Sequence, residues 1–229
     1  MEIKNKVIVI TGGSKGFGRA LAEAFVKEGS KVVICGLSKE DLSKTVKEIG
    51  VLGIVADVRN ENDMQKLADK AIEKYGNIDI WINNAGIWVS GQNAEDFDMS
   101  KVKDMFDINI LGLINGSRVA LKYMKGKDSG TIINVLSTSA LVGRPKSSMY
   151  ATTKWGANGF TKSIREENKE NNISILSVFP GGMKTKIFGD YKYPDFDQFM
   201  DTNDVAGKVV SNLKKENPEL ELIIKRENA

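Results

Sequence analysis

Val7-Ile8-Val9-Ile10-Thr11-Gly12-Gly13-Ser14-Lys15-Gly16-Phe17-Gly18 is the stretch from which the fold is read. An apolar run of strand length enters a glycine-rich turn, and a helical pattern with Leu21, Ala24 and Phe25 on one face follows at once. Strand, turn and helix in this order are the context that a phosphate-binding loop needs, though an ordinary glycine-rich turn has the same look. Glycines permit the tight turn and close backbone approach, and the helix start offers unpaired N–H groups at a positive dipole end. The literal G-x-G-x-x-G spacing fails, because Leu21 stands three positions after Gly18, and no Gly-Lys-Ser/Thr occurs. The spacing present is Gly12-x-x-x-Gly16-x-Gly18.

The same alternation continues outward. Apolar runs at Lys31 to Cys35, Gly53 to Ala56, Ile78 to Ile82, Thr131 to Leu136, Ile173 to Phe179 and Leu220 to Ile224 read as further strands. Helical patterns lie between them, near 39–49, 61–75, 99–125, 148–170 and 202–215. Runs apolar on both faces, separated by amphipathic helices, predict an α/β fold with a parallel sheet covered on both sides. With 229 residues, four prolines and no linker composition, one domain is expected. The least regular segment, Gly181 to Met200, carries Phe188, Tyr191, Tyr193, Pro194, Phe196 and Phe199 and reads as functional.

Composition excludes several chemistries. The chain has no histidine and one cysteine, Cys35. That removes Ser-His-Asp triads, Cys-His pairs, HExxH zinc sites and intrachain disulfides, and no metal is expected. Cys35 sits in an apolar run and reads as a buried structural thiol. A net charge of +3 without a basic block gives no reason to expect nucleic acid. No signal-like N-terminus and no run of about 18 apolar residues appears, so a cytoplasmic protein without a membrane partner is expected. Acid/base work falls to Tyr, Lys, Asp, Glu or a cofactor.

The spacing Thr11-Gly12-x-x-x-Gly16-x-Gly18 resembles the cofactor loop of the short-chain dehydrogenase/reductase family, and further matches follow in that family's order. These are Asp57 after the third strand, Asn83-Asn84-Ala85-Gly86 after the fourth, Asn109 in the long fifth helix, Ser137 after the fifth strand, Tyr150-x-x-x-Lys154, and Pro180-Gly181 with Thr185 beyond. The resemblance runs from Lys6 to about Ile224. It implies a Rossmann-like doubly wound sheet of about seven strands and an enzyme that transfers hydride between a nicotinamide cofactor and a carbonyl or alcohol. The implied catalytic set is Asn109, Ser137, Tyr150 and Lys154. The implied cofactor contacts are Gly12, Ser14, Lys15, Gly16, Phe17, Gly18, Ser38, Asp57, Val58, Asn84, Ala85, Gly86, Tyr150, Lys154, Pro180, Gly181 and Thr185.

Tyr-x-x-x-Lys occurs twice, the second time at Tyr123 and Lys127. Tyr150 has Ser137 thirteen positions before it, at a strand end, and Tyr123 has no such serine. Ser139 is the nearby competitor for Ser137, and Asn115 for Asn109. Residues i and i+4 share a helix face, so Lys154 is expected beside Tyr150, lowering a phenol pKa of about 10 by about 3 units. That needs about 4 kcal/mol, which one ammonium at about 4–5 Å supplies at an effective dielectric near 20.

NADP(H) is favoured over NAD(H). The second strand ends Cys35-Gly36-Leu37-Ser38, without the carboxylate that selects NAD, and Lys15 stands in the glycine loop. Leu37 stands where many phosphate-binding members have arginine. An apolar pocket is expected from Trp88 and its loop near 88–97, from 139–148, from Trp155, and from 182–200. Trp155 and Phe160 are also expected to leave apolar surface for a homodimer or homotetramer. The competing readings are an epimerase or dehydratase on the same fold and a non-catalytic NADP-sensing protein.

Overall fold

The computed structural model describes residues 1–89, 91–189, 191 and 193–226. Of the expected pocket segments and of the single domain expected over 1–229, Ser90, Asp190, Lys192 and residues 227–229 lie outside the described residues.

Seven strands form one sheet with all pairings parallel: β1 (Val7–Ile10), β2 (Lys31–Gly36), β3 (Leu52–Val55), β4 (Ile80–Asn83), β5 (Gly130–Val135), β6 (Ile173–Pro180) and β7 (Glu221–Ile224). Their order across the sheet is β3-β2-β1-β4-β5-β6-β7. The helices are α1 (Gly16–Lys27), α2 (Lys39–Ile49), α3 (Glu61–Tyr75), α4 (Met99–Phe106), α5 (Gly112–Lys127), α6 (Ser148–Glu167) and α7 (Thr202–Lys214). This is the parallel sheet expected from the alternation and the doubly wound, Rossmann-like single domain that the resemblance implied.

Alternate residues of a strand face opposite sides, and the two cores follow that period. Ile8, Ile10, Ile34, Ile80 and Ile82 pack with Leu21, Phe25, Ala206 and Val209 under α1 and α7. Val9, Val33, Cys35, Trp81 and Ile132 pack with Leu67, Ala71, Val119 and Ala120 under α3 and α5. Cys35 is fully buried there, and burial pushes its thiol pKa up to about 12, which leaves an inert thiol. The outer strands are less apolar than the central ones. β3 leaves Val55 half exposed, and β7 alternates exposed and buried, as edge strands do.

Strand order reverses between β1 and β4, so the loops leaving their C-terminal ends part and open a crevice there. The expected helix over 99–125 holds as one path with a departure inside it. Residues Asp107–Leu111 form a π-helical turn between α4 and α5, and Asn109 sits in it. A π turn is often the mark of a functional residue.

Candidate active site

The glycine turn is shaped by close approaches. Gly12 and Gly16 have φ of +63° and +56°, the left-handed region that favours glycine. A Cβ on Gly18 would lie 2.2 Å from the Gly12 carbonyl oxygen, so α1 can start here only with glycine. Lys15, the residue before α1, makes no side-chain cap, and the first turn holds no acid. Its N–H groups are thus left for a ligand, whereas Ser38 and Asn60 cap α2 and α3. Gly16 looks across at the Thr185 methyl, where a Cβ would come no nearer than 3.8 Å. This cradle fits a pyrophosphate held between the loop and Thr185. The Phe17 side chain lies in the core, so only its backbone can serve a cofactor.

Thr11 joins the glycine turn to the segment after β4, a role the sequence reading did not assign. Its Oγ1 accepts from the backbone N–H groups of Asn84 at 3.0 Å and Ala85 at 3.1 Å. Asn84 Nδ2 in turn donates to the Thr11 and Gly12 carbonyls at 3.0 and 3.2 Å. Asn84 therefore fastens one loop to the other, its side-chain amide donating to main-chain carbonyls and its own N–H to Thr11.

At the adenosine end, Ser14 Oγ lies 2.7 Å from where a Cβ on Gly36 would stand. The serine occupies the room that an acidic side chain at 36 would need. Ser38 Oγ accepts from the Asp41 amide as the cap of α2. Lys15 Nζ lies 3.6 Å from the Asp41 carboxylate, with both side chains well exposed. Asp57 is held by Arg59, whose Nη2 donates to it at 2.7 Å, and this bond keeps its carboxyl below the usual range. Val58 is buried against Gly112, and Asn115 donates to the Val58 and Arg59 carbonyls. Asn115 thus braces the Asp57 turn and is no rival to Asn109.

Asn109 is buried and faces the other way. Its Nδ2 donates to the Ile87 carbonyl at 2.9 Å and to Thr153 Oγ1 at 3.1 Å, and its Oδ1 accepts from the Ile87 amide at 2.9 Å. It ties the backbone just past Gly86 to α6 one residue from Lys154. A Cβ on Gly86 would lie 3.2 Å from Asn109 Oδ1 and 3.8 Å from Lys154 Nζ, so this glycine keeps the approach to the lysine open.

Ser137, Tyr150 and Lys154 meet at the end of β5. Ser137 lies near enough to Tyr150 to act on its phenol, and Lys154 Nζ donates to the Val135 carbonyl at 3.1 Å while standing 5.7 Å from the Tyr150 ring centre. Ser139 is buried, and its amide donates to Ser137 Oγ, so it serves the chosen serine. The expected lowering of the phenol pKa is reversed in the chain alone. Burial pushes Tyr150 up to about 12, with Ser137 opposing, and pushes Lys154 down to about 8. A nearby ammonium favours the phenolate, but removing both groups from water outweighs it.

The second pair shows why spacing alone does not suffice. Lys127 Nζ lies 5.1 Å from the Tyr123 ring, yet it donates to Asn77 Oδ1 and the Ile78 carbonyl, ahead of the N-terminal end of β4. That is the far end of the sheet from the crevice. Pro180 and Gly181 close β6 at the crevice end, with the Gly181 amide bonded to the Ile224 carbonyl. Trp155 is corrected as a pocket wall. It stands half exposed on the outer side of α6, while Phe160 packs partly into the core. Trp88 instead meets Phe188, Tyr191 and Tyr193 at ring distances of 5.3, 5.3 and 5.8 Å.

The chain and its fold have known relatives. The family model for short chain dehydrogenases matches residues 6–194. The 3-oxoacyl-[acyl-carrier-protein] reductase of Thermotoga maritima is 33% identical over 196 residues, covering 82% of this chain and 78% of that protein. The structure of a 3-ketoacyl-(acyl-carrier-protein) reductase from Brucella melitensis complexed with NADH superposes with a TM-score of 0.90 at 27% identity, covering 98% of each chain. The fold is shared as well, at a TM-score of 0.86 and 23% identity, with an alcohol dehydrogenase from the archaeon Thermococcus sibiricus complexed with 5-hydroxy-NADP, over 98% of this chain and 97% of that one. The chain belongs to the short-chain dehydrogenase family of nicotinamide-dependent oxidoreductases.

Proposed function

We propose that the protein is a carbonyl reductase or alcohol dehydrogenase acting on a small, rather apolar substrate. The observation that carries this reading is the meeting of Ser137, Tyr150 and Lys154 beside Gly86 at the end of β5. A bound nicotinamide supplies or takes up the hydride. The residues do the rest. Ser137 and Tyr150 hold the carbonyl oxygen, Tyr150 passes it a proton, and Lys154 and Asn109 keep the phenol and the Ile87 backbone in place. The intact catalytic set speaks against a non-catalytic sensor. Turnover of a panel of aldehydes, ketones and quinones, followed by the absorbance of the reduced cofactor, tests the assignment. No loss of absorbance with any of them would sink it.

The expected cofactor is NADP(H). Gly36 offers no carboxylate to the ribose, and the Lys15–Asp41 contact is an exposed pair worth at most about 1 kcal/mol, so a 2′-phosphate can draw Lys15 away. Fluorescence titration is expected to give tighter binding of NADPH than of NADH, with Lys15→Ala narrowing the gap. Equal affinities in the unsubstituted protein would refute this.

We also expect a homodimer or homotetramer in the cytoplasm. Among the described residues no helix is long and apolar enough to cross a membrane. Trp155 on α6, Leu111 on the π turn and Met99 on α4 are each half exposed or more. Closed symmetric assembly is the usual way such surface is covered. Light scattering at micromolar concentration is expected to give a multiple of 25.2 kDa, and a monomer mass would overturn the assignment.

A further inference from the structure

We infer that Arg226, just past β7 and far in sequence from the catalytic set, is a positioning residue for the substrate side of the site, acting through Asp195 and Phe199. The inference rests on the reading of Tyr150 as the proton donor.

The segment after β6 closes on itself. The Met200 amide donates to the Gly182 carbonyl and the Lys184 amide to the Met200 carbonyl, each at 3.0 Å. Between these ties the described residues form two short 3₁₀ turns, Lys186–Phe188 and Phe196–Gln198. Its shape is therefore held by packing of rings. Phe199 is the hub, with ring distances of 5.7 Å to Phe188 and 5.4 Å to both Tyr193 and Phe196. Its floor is Gly182, where a Cβ would stand 2.9 Å from the Phe199 ring. Tyr193 meets Trp88 in turn, at a ring distance of 5.8 Å.

Arg226 grips this cluster from the sheet. β7 is held in register on β6 by the pairing of Ile224 with Pro180, and Arg226 follows two residues later. Its Nη2 donates to Asp195 Oδ2 at 2.6 Å and its Nη1 to Gln198 Oε1 at 3.4 Å, while the guanidinium sits 5.7 Å from the Phe199 ring centre. One cation thus holds an acid, an amide and the hub ring of this segment, and the planar fork suits arginine better than lysine. The path of ring contacts from the sheet edge runs Arg226, Phe199, Tyr193, Trp88. Arg226 itself reaches none of the reacting groups.

The test uses the full chain carrying Trp155→Phe, so that acrylamide quenching reports on Trp88, Trp81 being fully buried. Arg226→Gln is expected to increase that quenching. It is also expected to raise KM about tenfold, the combined scale of a partly exposed ion pair and a cation–π contact, for whichever of acetophenone, benzaldehyde and butanone is reduced best. The rate constant kcat and the affinity for NADPH are expected to stay as they were. Arg226→Lys should fall between, and the exchange Arg226→Asp with Asp195→Arg should recover part of the loss. Unchanged quenching and KM would overturn the inference, as would a joint fall of kcat, NADPH affinity and Tm, which marks a merely structural residue. If none of the three carbonyls is reduced, the quenching result alone decides the role of Arg226, and the failure falls on the reaction assigned to the site.

Discussion

Tyr150→Phe is expected to lower kcat for carbonyl reduction by about 10²–10⁴-fold, the usual contribution of a positioned general acid. The ring stays and only the hydroxyl goes, so affinity for the cofactor should be nearly unchanged. With a pKa pushed up to about 12 by burial, the phenol is fully protonated near neutrality. That is the form needed to hand a proton to an oxygen gaining negative charge. The reverse direction, alcohol oxidation, asks the same group to accept a proton and should quicken as pH rises. Tyr123→Phe is the matched control. It removes a hydroxyl 3.1 Å from Asn77 Oδ1 at the opposite end of the sheet, costing about 1 kcal/mol of stability and no rate. Steady-state kinetics of both variants on one carbonyl decide the matter. A Tyr150→Phe protein with the unsubstituted rate would remove the phenol from the chemistry.

What could be read from sequence follows from where each signal resides. The change of period at Thr11, from a β-branched run to Leu21, Ala24 and Phe25, is local, and β1, the glycine turn and α1 appear where it placed them. Ser137, Tyr150 and Lys154 were legible because a strand end and a helix face fix their neighbourhood. The π turn at Asn109 was not, since an asparagine within a helical pattern looks the same whether or not one residue is extra. Side-chain partners across the sheet were silent too. Asn83 bonds Ser117 and Asn134, and Asn134 bonds Thr161, a buried polar run joining β4, β5, α5 and α6. Gly116 makes room for it, since a Cβ there would meet Asn83 Oδ1 at 2.1 Å. Nothing in the spacing of these residues announces the run. The side of α6 that carries Trp155 was misjudged for a related reason. A helix that covers a sheet and presents a catalytic face has two occupied sides, and hydrophobic period alone does not say which residues are left over.

Lys154→Met is expected to make the cofactor-free protein more stable while removing most of its activity. Lys154 is 5% exposed, and burial lowers its pKa from 10.5 to about 8. Below pH 8 the lysine is charged in both states, and the folded state bears the whole cost of holding an ammonium away from water. That cost is about 3 kcal/mol for a shift of this size. Between about pH 8 and 10.5 the unfolded chain keeps a proton that the folded chain has lost, so stability rises with pH across this window. Tyr150 acts oppositely and later: its raised value makes stability fall as pH climbs from about 10 towards 12. Methionine is long, unbranched and apolar, and fills the same channel without a charge. It leaves the Val135 carbonyl without the lysine's bond, a loss of about 1 kcal/mol. The net gain near pH 7 is about 2 kcal/mol, or about 4–8 °C in Tm for a domain of this size. Thermal unfolding of both proteins at pH 7 and pH 10 is the measurement. The variant should start higher at pH 7, and the unsubstituted protein should gain on it by pH 10; the raised Cys35 thiol lowers both alike above about pH 9 and drops out of the difference. A variant that melts lower at pH 7, or that keeps the same rise with pH, would show that the buried ammonium is not the group responsible. A stabilised but inactive variant means that this site carries a charge in its interior for the reaction and bears the cost in fold stability.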